Sequence, residues 1–315
     1  MTPPAEADSP PVAETPQAWD IVFRSRAGLR LAGEDHGEAG APPILLLHGG
    51  GQTRAAWKGT ARRLAEAGWR AIALDQRGHG QSAWAPDQDY RIARFAEDLL
   101  DVTAAFPVKP VVIGASLGGL AAMTAAELAL RGAAAAGAPG SDTAAPFAGA
   151  VLVDVTPRLR QEGVEEVLSF MAADLRHGFA GLAEAAEAVA RYLPDRPRPR
   201  DLAGLARNLR RDADGRLRWH WDPAFVEGPL NIQSSLAEPA LDAAARHLSM
   251  PTLLVRGRLS TLVTEEEAAH FLRLVPHARL VDVSEAGHMV AGDRNDVFTR
   301  AILDFLHAAF GPLAA

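Results

Sequence analysis

The sequence contains no cysteine. That excludes disulfides, a thiolate nucleophile and Cys-ligated zinc, so any nucleophile must carry oxygen or nitrogen. The absence also suits a reducing compartment, and a cytoplasmic location is expected. Positive charge is in deficit: 32 Lys and Arg stand against 39 Asp and Glu, for a formal net charge of -7. This argues against a nucleic-acid partner, which needs a surplus of basic side chains gathered on one face. Long apolar runs are missing as well. The densest, residues 42–47, is far short of the ~20 residues needed to cross a bilayer and reads as a buried strand, so no membrane association is expected. Residues 1–17 lack the basic start and apolar core of a secretory signal; rich in Pro, Ala and acidic residues, they read as a disordered leader. Asp282, Asp293 and Asp296 are not joined by histidines at ligand spacing, and neither metal nor other cofactor is expected.

What remains is ordinary soluble-protein composition, 48% apolar and 23% charged over 315 residues, enough for one large α/β domain with an insertion. Short Leu-, Ile- and Val-rich runs at 44–47, 71–74, 111–113, 150–153, 252–255 and 280–283 alternate with stretches of helical periodicity at 56–67, 93–106, 117–130, 265–275 and 296–310. Such alternation predicts βαβ units and a parallel sheet. Residues 21–24 and 30–33, separated by Ala27-Gly28, predict an antiparallel hairpin ahead of it. Residues 131–148, mostly Ala, Gly and Pro, predict a mobile surface loop. Residues 157–246 form a separate module, mainly helical and without a strand pattern, interrupted at Asp195-Arg196-Pro197-Arg198-Pro199-Arg200, which cannot be regular helix. The expected domains are thus a core of 18–156 and 247–315 and a helical cap of 157–246.

The decisive motif is Gly114-Ala115-Ser116-Leu117-Gly118-Gly119, between an apolar strand and an amphipathic helix. Gly-x-Ser-x-Gly at a strand-to-helix turn exposes the serine hydroxyl at the carboxyl edge of a sheet, with glycines where the chain comes close. No Lys follows the glycines and the spacing of a dinucleotide loop is absent, so a phosphate cradle is disfavoured. A serine needs a base with a pKa near 7, which makes histidine the natural partner. Of ten histidines, His288, in a loop after the last strand, fits best. His36 reads as a turn residue, His270 and His307 as helix-surface residues, His177 as part of the insertion, and His220 as a packed or pocket residue. The third member should be an acid between serine and histidine in chain order. Asp154 stands directly after the run 150–153 and is the first choice; Glu265, the first acid after 252–255, is the second. His48-Gly49-Gly50-Gly51 follows the run 44–47, and the Gly50 or Gly51 N–H, with that of Leu117, would make an oxyanion hole. His48 and His79 read as structural. Asp75 to Ser82 reads as scaffold for the neighbouring loops. Trp57, Trp84, Trp219, Trp221 and Met289 are candidate pocket walls.

Together, HGGGQT, DQRGHGQS, GASLGG and GHMVAGDRND at this order and spacing resemble the α/β-hydrolase superfamily over roughly residues 20–310. The resemblance is to bacterial serine hydrolases of the esterase, lactonase and non-haem haloperoxidase-like branch. It implies a mostly parallel eight-stranded sheet flanked by helices, with a mainly helical cap inserted after the sixth strand. It also implies Ser116 as nucleophile, His288 as base, and Gly50 and Leu117 as oxyanion donors. The acid usual after the seventh strand is missing, with Ser260-Thr261 in its place; some relatives carry it after the sixth, which matches Asp154. The function expected is hydrolysis of a small-molecule ester, thioester or lactone through an acyl-enzyme. The alternatives are carbon–carbon bond hydrolysis by the same triad and a non-hydrolytic ligand sensor on the same fold.

Overall fold

The computed structural model describes residues 18–136, 145–194, 202–284 and 295–312. Eight strands form the main sheet: β1 (Ala18–Arg24), β2 (Arg30–His36), β3 (Pro43–Leu47), β4 (Arg70–Leu74), β5 (Val111–Ala115), β6 (Gly149–Val153), β9 (Thr252–Gly257) and β10 (Arg279–Val283). Their order is β1-β2-β4-β3-β5-β6-β9-β10. The hairpin β1–β2 is antiparallel, β2 runs antiparallel to β4, and every pairing from β4 to β10 is parallel. The expected hairpin is present and longer than its apolar residues alone indicate.

The central strands are apolar on both faces because both are covered. Along β3, Leu45 and Leu47 enter one core while Ile44 and Leu46 enter the other; β6 divides Ala150 and Leu152 from Val151 and Val153 in the same way. The first face is covered by α2 (Ile92–Thr103), α3 (Leu117–Ala135) and α8 (Glu238–Ala245). The second is covered by α1 (Lys58–Glu66), which follows a 3₁₀ turn at Arg54–Trp57, and by α10 (Asn295–Phe310). After β9, α9 (Glu265–Leu274) starts from a capping box: Thr264 accepts from the Glu266 N–H and Glu267 reaches back to the Thr264 N–H at 2.9 Å. Among the described residues no helix is long and apolar enough to cross a membrane.

Two expectations need correction. The Ala-rich stretch after residue 130 continues α3 to Ala135 instead of opening a loop, since alanine has the highest helix propensity and needs no bulky packing partner; residues 137–144 lie outside the described set. The insertion between β6 and β9 is mostly helical, with α4 (Gln161–Ala172), α5 (Leu182–Tyr192), α6 (Ala203–Ala206) and α7 (Ala224–Glu227). It also holds a two-stranded hairpin, β7 (Leu209–Arg211) with β8 (Leu217–Trp219). Three-residue strands are too short to display a period of two. The proline-broken segment 195–200 is not among the described residues.

Buried polar contacts hold the insertion to the core. The Asp222 N–H donates to Gly78 O at 2.9 Å, and the Tyr90 hydroxyl donates to Asp222 Oδ2 at 2.6 Å. The Gly80 N–H donates to His220 Nδ1 at 2.8 Å, and the Tyr90 N–H to Leu230 O at 2.8 Å. Beneath this seam His48, His79 and His220 stand in a row, ring centroids 5.2 and 5.8 Å apart. Burial is the first cause that depresses all three: His48 below the ordinary histidine value, His79 well below it, and His220 to about 4.

These features give two predictions. A Cβ on Gly118 would sit 2.5 Å from Leu47 Cβ and 2.6 Å from its carbonyl oxygen, so Gly118→Ala should cost about 1–3 kcal/mol. At Gly204, where a Cβ meets nothing within 4 Å, alanine should raise stability by roughly 0.5 kcal/mol; urea unfolding of both variants checks the contrast. The histidine row makes stability depend on pH. Below about pH 6.5 the unfolded chain takes up protons that the folded row refuses, so stability should decline as pH falls from about 6.5 towards 4. The urea midpoint measured between pH 7.5 and 5 should fall, and should fall less in His220→Gln.

Candidate active site

Ser116 occupies the turn between β5 and α3 with φ 46° and ψ -111°. A non-glycine residue there lies outside even the left-handed helical island, a conformation costing on the order of 1–3 kcal/mol that persists only where the surroundings impose it. Here they do. The Ser116 N–H donates to Val153 O at 3.0 Å, and its carbonyl accepts the first α3 bonds from Gly119 and Leu120 at 2.9 and 3.0 Å. The flanking glycines allow this packing. A Cβ on Gly114 would lie 2.4 Å from Gly118 C, and one on Gly119 would lie 2.3 Å from Val155 Cγ1.

Asp154 leaves β6 in the adjoining position. Ala115 pairs with Val153, so the residues that follow, Ser116 and Asp154, emerge together at the carboxyl edge of the sheet. Asp154 also has a positive φ, 49°, and is 1% exposed. Its N–H donates to Val255 O at 2.7 Å. Its carboxylate accepts from the Gly257 N–H at 3.1 Å and from the Ser260 hydroxyl at 2.6 Å. Ser260, the residue noted where an acid would ordinarily stand, thus supports the carboxylate from the next strand. Glu265 is placed differently: its side chain is 85% exposed and lies 3.7 Å from the Arg256 guanidinium, which is itself bound to Asp282 at 2.8 Å. His288 and Met289 lie outside the described residues.

The glycine loop after β3 is ordered by its own amides. The Gly49 N–H donates to Gln52 Oε1 at 3.0 Å and the Gly51 N–H to His79 Nε2 at 3.1 Å. The Gly51 N–H, expected as one of two possible oxyanion donors from this loop, is engaged with His79 in this arrangement. Gly50 lines the cleft, and Leu117 opens α3, where first-turn N–H groups lack intrahelical acceptors. His48 has the structural role expected, accepting the Gln76 N–H at 3.0 Å and donating to Gly49 O at 2.8 Å. Asp75 acts as scaffold, accepting from the Arg54 N–H, the Arg54 guanidinium and the Gln81 N–H.

Ser116 opens into a cleft of about 480 Å³, counting its open mouth, between the sheet edge and the insertion. Leu117, Leu120, Leu159, Val164, Val167, Leu168, Met171, Phe225, Ile232, Leu236 and Leu262 line it, and Ser116 supplies the one polar side chain of the described lining. None of the four described candidate tryptophans is there. Trp57 packs on Phe298 at 5.9 Å on the second face of the sheet, because its 3₁₀ turn leads into α1. Trp84 sits under the Arg210 guanidinium at 4.8 Å. Trp219 and Trp221 stack on one another at 4.9 Å inside the insertion. His220 bonds Gly80, His36 closes β2 as a buried residue, and His270 is buried against Asp242 at 2.9 Å. Sequence reasoning missed Met171 and Phe225 as walls. Met171 belongs to an apolar stripe on α4, but nothing local says that it faces the glycine loop, and α7 around Phe225 is a single turn.

A profile for the α/β hydrolase fold matches residues 42–294. An esterase of Mycobacterium tuberculosis is 32% identical over 262 residues, covering 81% of this chain and 79% of that one. A 2-(acetamidomethylene)succinate hydrolase of Mesorhizobium japonicum is 28% identical over 282 residues, 86% of this chain and 90% of that one. Among solved structures, an α/β hydrolase from Novosphingobium aromaticivorans superposes with a TM-score of 0.72 at 28% identity, covering 92% of this chain and 98% of the other. With a strand order, a strained serine turn and a matched span that agree, the chain belongs to the α/β hydrolase fold family.

Proposed function

We propose that the protein is a serine esterase that hydrolyses carboxylic esters of uncharged aliphatic acyl groups through an acyl-enzyme. The observation that carries this is Ser116, the one polar side chain of the described lining, held in a strained turn in a cleft whose other described walls are apolar. Ser116 Oγ attacks the ester carbonyl while His288 takes its proton and returns it to the leaving alcohol. Asp154 orients the imidazole and stabilises its cationic form. Water, activated by the same histidine, then releases the acid. The oxyanion is met by the N–H groups of Gly50 and Leu117.

Asp154 is supported over Glu265 by its burial and by the described donors on its carboxylate, Gly257 N–H and the Ser260 hydroxyl, which fix its orientation without neutralising it. Among the described residues the exposed Glu265 has only its contact with Arg256 to hold it. The ester reading is supported by the esterase among the relatives. The acyl preference rests on the lining: eleven described apolar residues reward burial of methylenes, whereas a carboxylate would enter without a partner among the described walls. The insertion that supplies most of these walls acts as a cap that selects the substrate.

Intact mass after a fluorophosphonate should show one adduct that Ser116→Ala abolishes; labelling that survives in the mutant would remove Ser116 as nucleophile. Asp154→Asn should keep the fold and lower kcat by about 10⁴-fold, with Glu265→Gln near wild type; the reverse pattern would move the acid to α9. Across p-nitrophenyl esters of constant leaving group, kcat/KM should rise about fourfold per methylene from acetate until the cleft is full. A succinate monoester should be at least roughly tenfold poorer than butyrate. A preference for acetate or for the charged acyl group would contradict the apolar-acyl reading.

A further inference from the structure

Three successive glycines give the oxyanion loop little conformational restraint of its own, because a residue without Cβ samples both signs of φ. Catalytic donors nevertheless have to be fixed before the reaction, since a donor that reorients during the reaction gives up much of its electrostatic advantage. Something outside the loop must therefore set which amide faces the cleft.

Two of the loop's three amides are already held. Gly49 is committed to Gln52 Oε1 and Gly51 to His79 Nε2. Among the described residues Gly50 alone of the three has no acceptor for its N–H, and it lines the cleft beside Ser116. His79 can accept only in one tautomer. Its Nδ1 lies 2.9 Å from Arg77 O; a carbonyl cannot donate, so the proton sits on Nδ1 and Nε2 presents a lone pair. The ring is fully buried, edge-on to Phe225 at 4.9 Å and beside His48 at 5.2 Å. Gly51 is left at φ +73°, which suits glycine.

We propose, on the basis of the serine-esterase reading of Ser116, that His79 is a positioning residue of the oxyanion hole: by accepting the Gly51 N–H it holds the loop in the one arrangement that turns the Gly50 N–H towards the ester carbonyl. His79 touches neither substrate nor nucleophile. Its effect falls on the transition state, where negative charge develops on the carbonyl oxygen, more than on substrate binding. Its depressed basicity, from burial and the neighbouring histidines, keeps Nε2 free to accept.

The test compares His79→Leu, His79→Asn and His79→Gln in the full chain with p-nitrophenyl butyrate. Leu lacks an acceptor, and Asn can satisfy Arg77 O but is too short to reach Gly51. Gln places an amide oxygen near the former Nε2. The expected result is a loss of about 10²-fold in kcat for Leu and Asn with KM within about threefold, and recovery of at least roughly tenfold by Gln. The Ki of an aliphatic trifluoromethyl ketone, which forms the oxyanion, should rise in parallel with the loss of kcat, while the Ki of butyrate should not. Thermal melts identify folded variants, and the Asn–Gln pair decides the matter if Leu fails to fold. Folded Asn and Gln variants with equal kcat, or losses confined to KM, would overturn the proposal while leaving the esterase reading intact. A wild-type protein that neither turns over esters nor takes the phosphonate on Ser116 would overturn both.

Discussion

Two backbone hydrogen bonds at the carboxyl edge of the sheet carry the arrangement: Ser116 N–H to Val153 O and Asp154 N–H to Val255 O. Each extends a parallel ladder one residue beyond its strand, so β5, β6 and β9 end in a staircase with Ser116, Asp154 and the 257–260 turn on successive steps. The two residues placed there, Ser116 and Asp154, both have positive φ without being glycine. Strain of this kind is tolerated only because the ladders on either side over-determine it. The proposed nucleophile and the proposed acid are therefore products of one register, and a slip in β6 would displace both.

That register requires close packing. Gly114, Gly118 and Gly119 are placed where a Cβ would strike the neighbouring backbone, Leu47 or Val155. The motif Gly-x-Ser-x-Gly is thus a packing specification as much as a chemical one. The strand that feeds the glycine loop and the helix that begins at Leu117 come within side-chain-free distance of each other. Gly50, Ser116 and Leu117 all line the same cleft.

The insertion contributes walls and order at the same time. Met171 and Phe225 press on the glycine loop, with a Cβ on Gly50 falling 3.6 Å from either. The same Phe225 packs edge-on to His79. Buried polar contacts through Asp222, His220 and Tyr90 tie this layer to the turn at 75–82. Such contacts are costly to leave unmade, so the seam specifies one docking position for the insertion.

The sheet, the serine turn and the place of Asp154 at a strand end were legible in the residues alone, because each is written in local signals: apolar runs of strand length, glycines at fixed offsets, an acid after a strand. The sequence also showed that position 260 carries a serine where an acid is usual. It did not show that Ser260 reaches back to Asp154 across 106 residues, that Gly51 gives its N–H to His79, or that the described walls of the cleft are Leu, Val, Ile, Met and Phe side chains while the tryptophans pack elsewhere. The Ala-rich continuation of α3 and the short β7–β8 hairpin were likewise decided by structure, one by helix propensity without bulk, the other by pairing too brief to leave a period. These outcomes depend on which residues distant in sequence become neighbours, and that is settled by strand order and by the docking of the insertion, neither of which any local window of sequence contains.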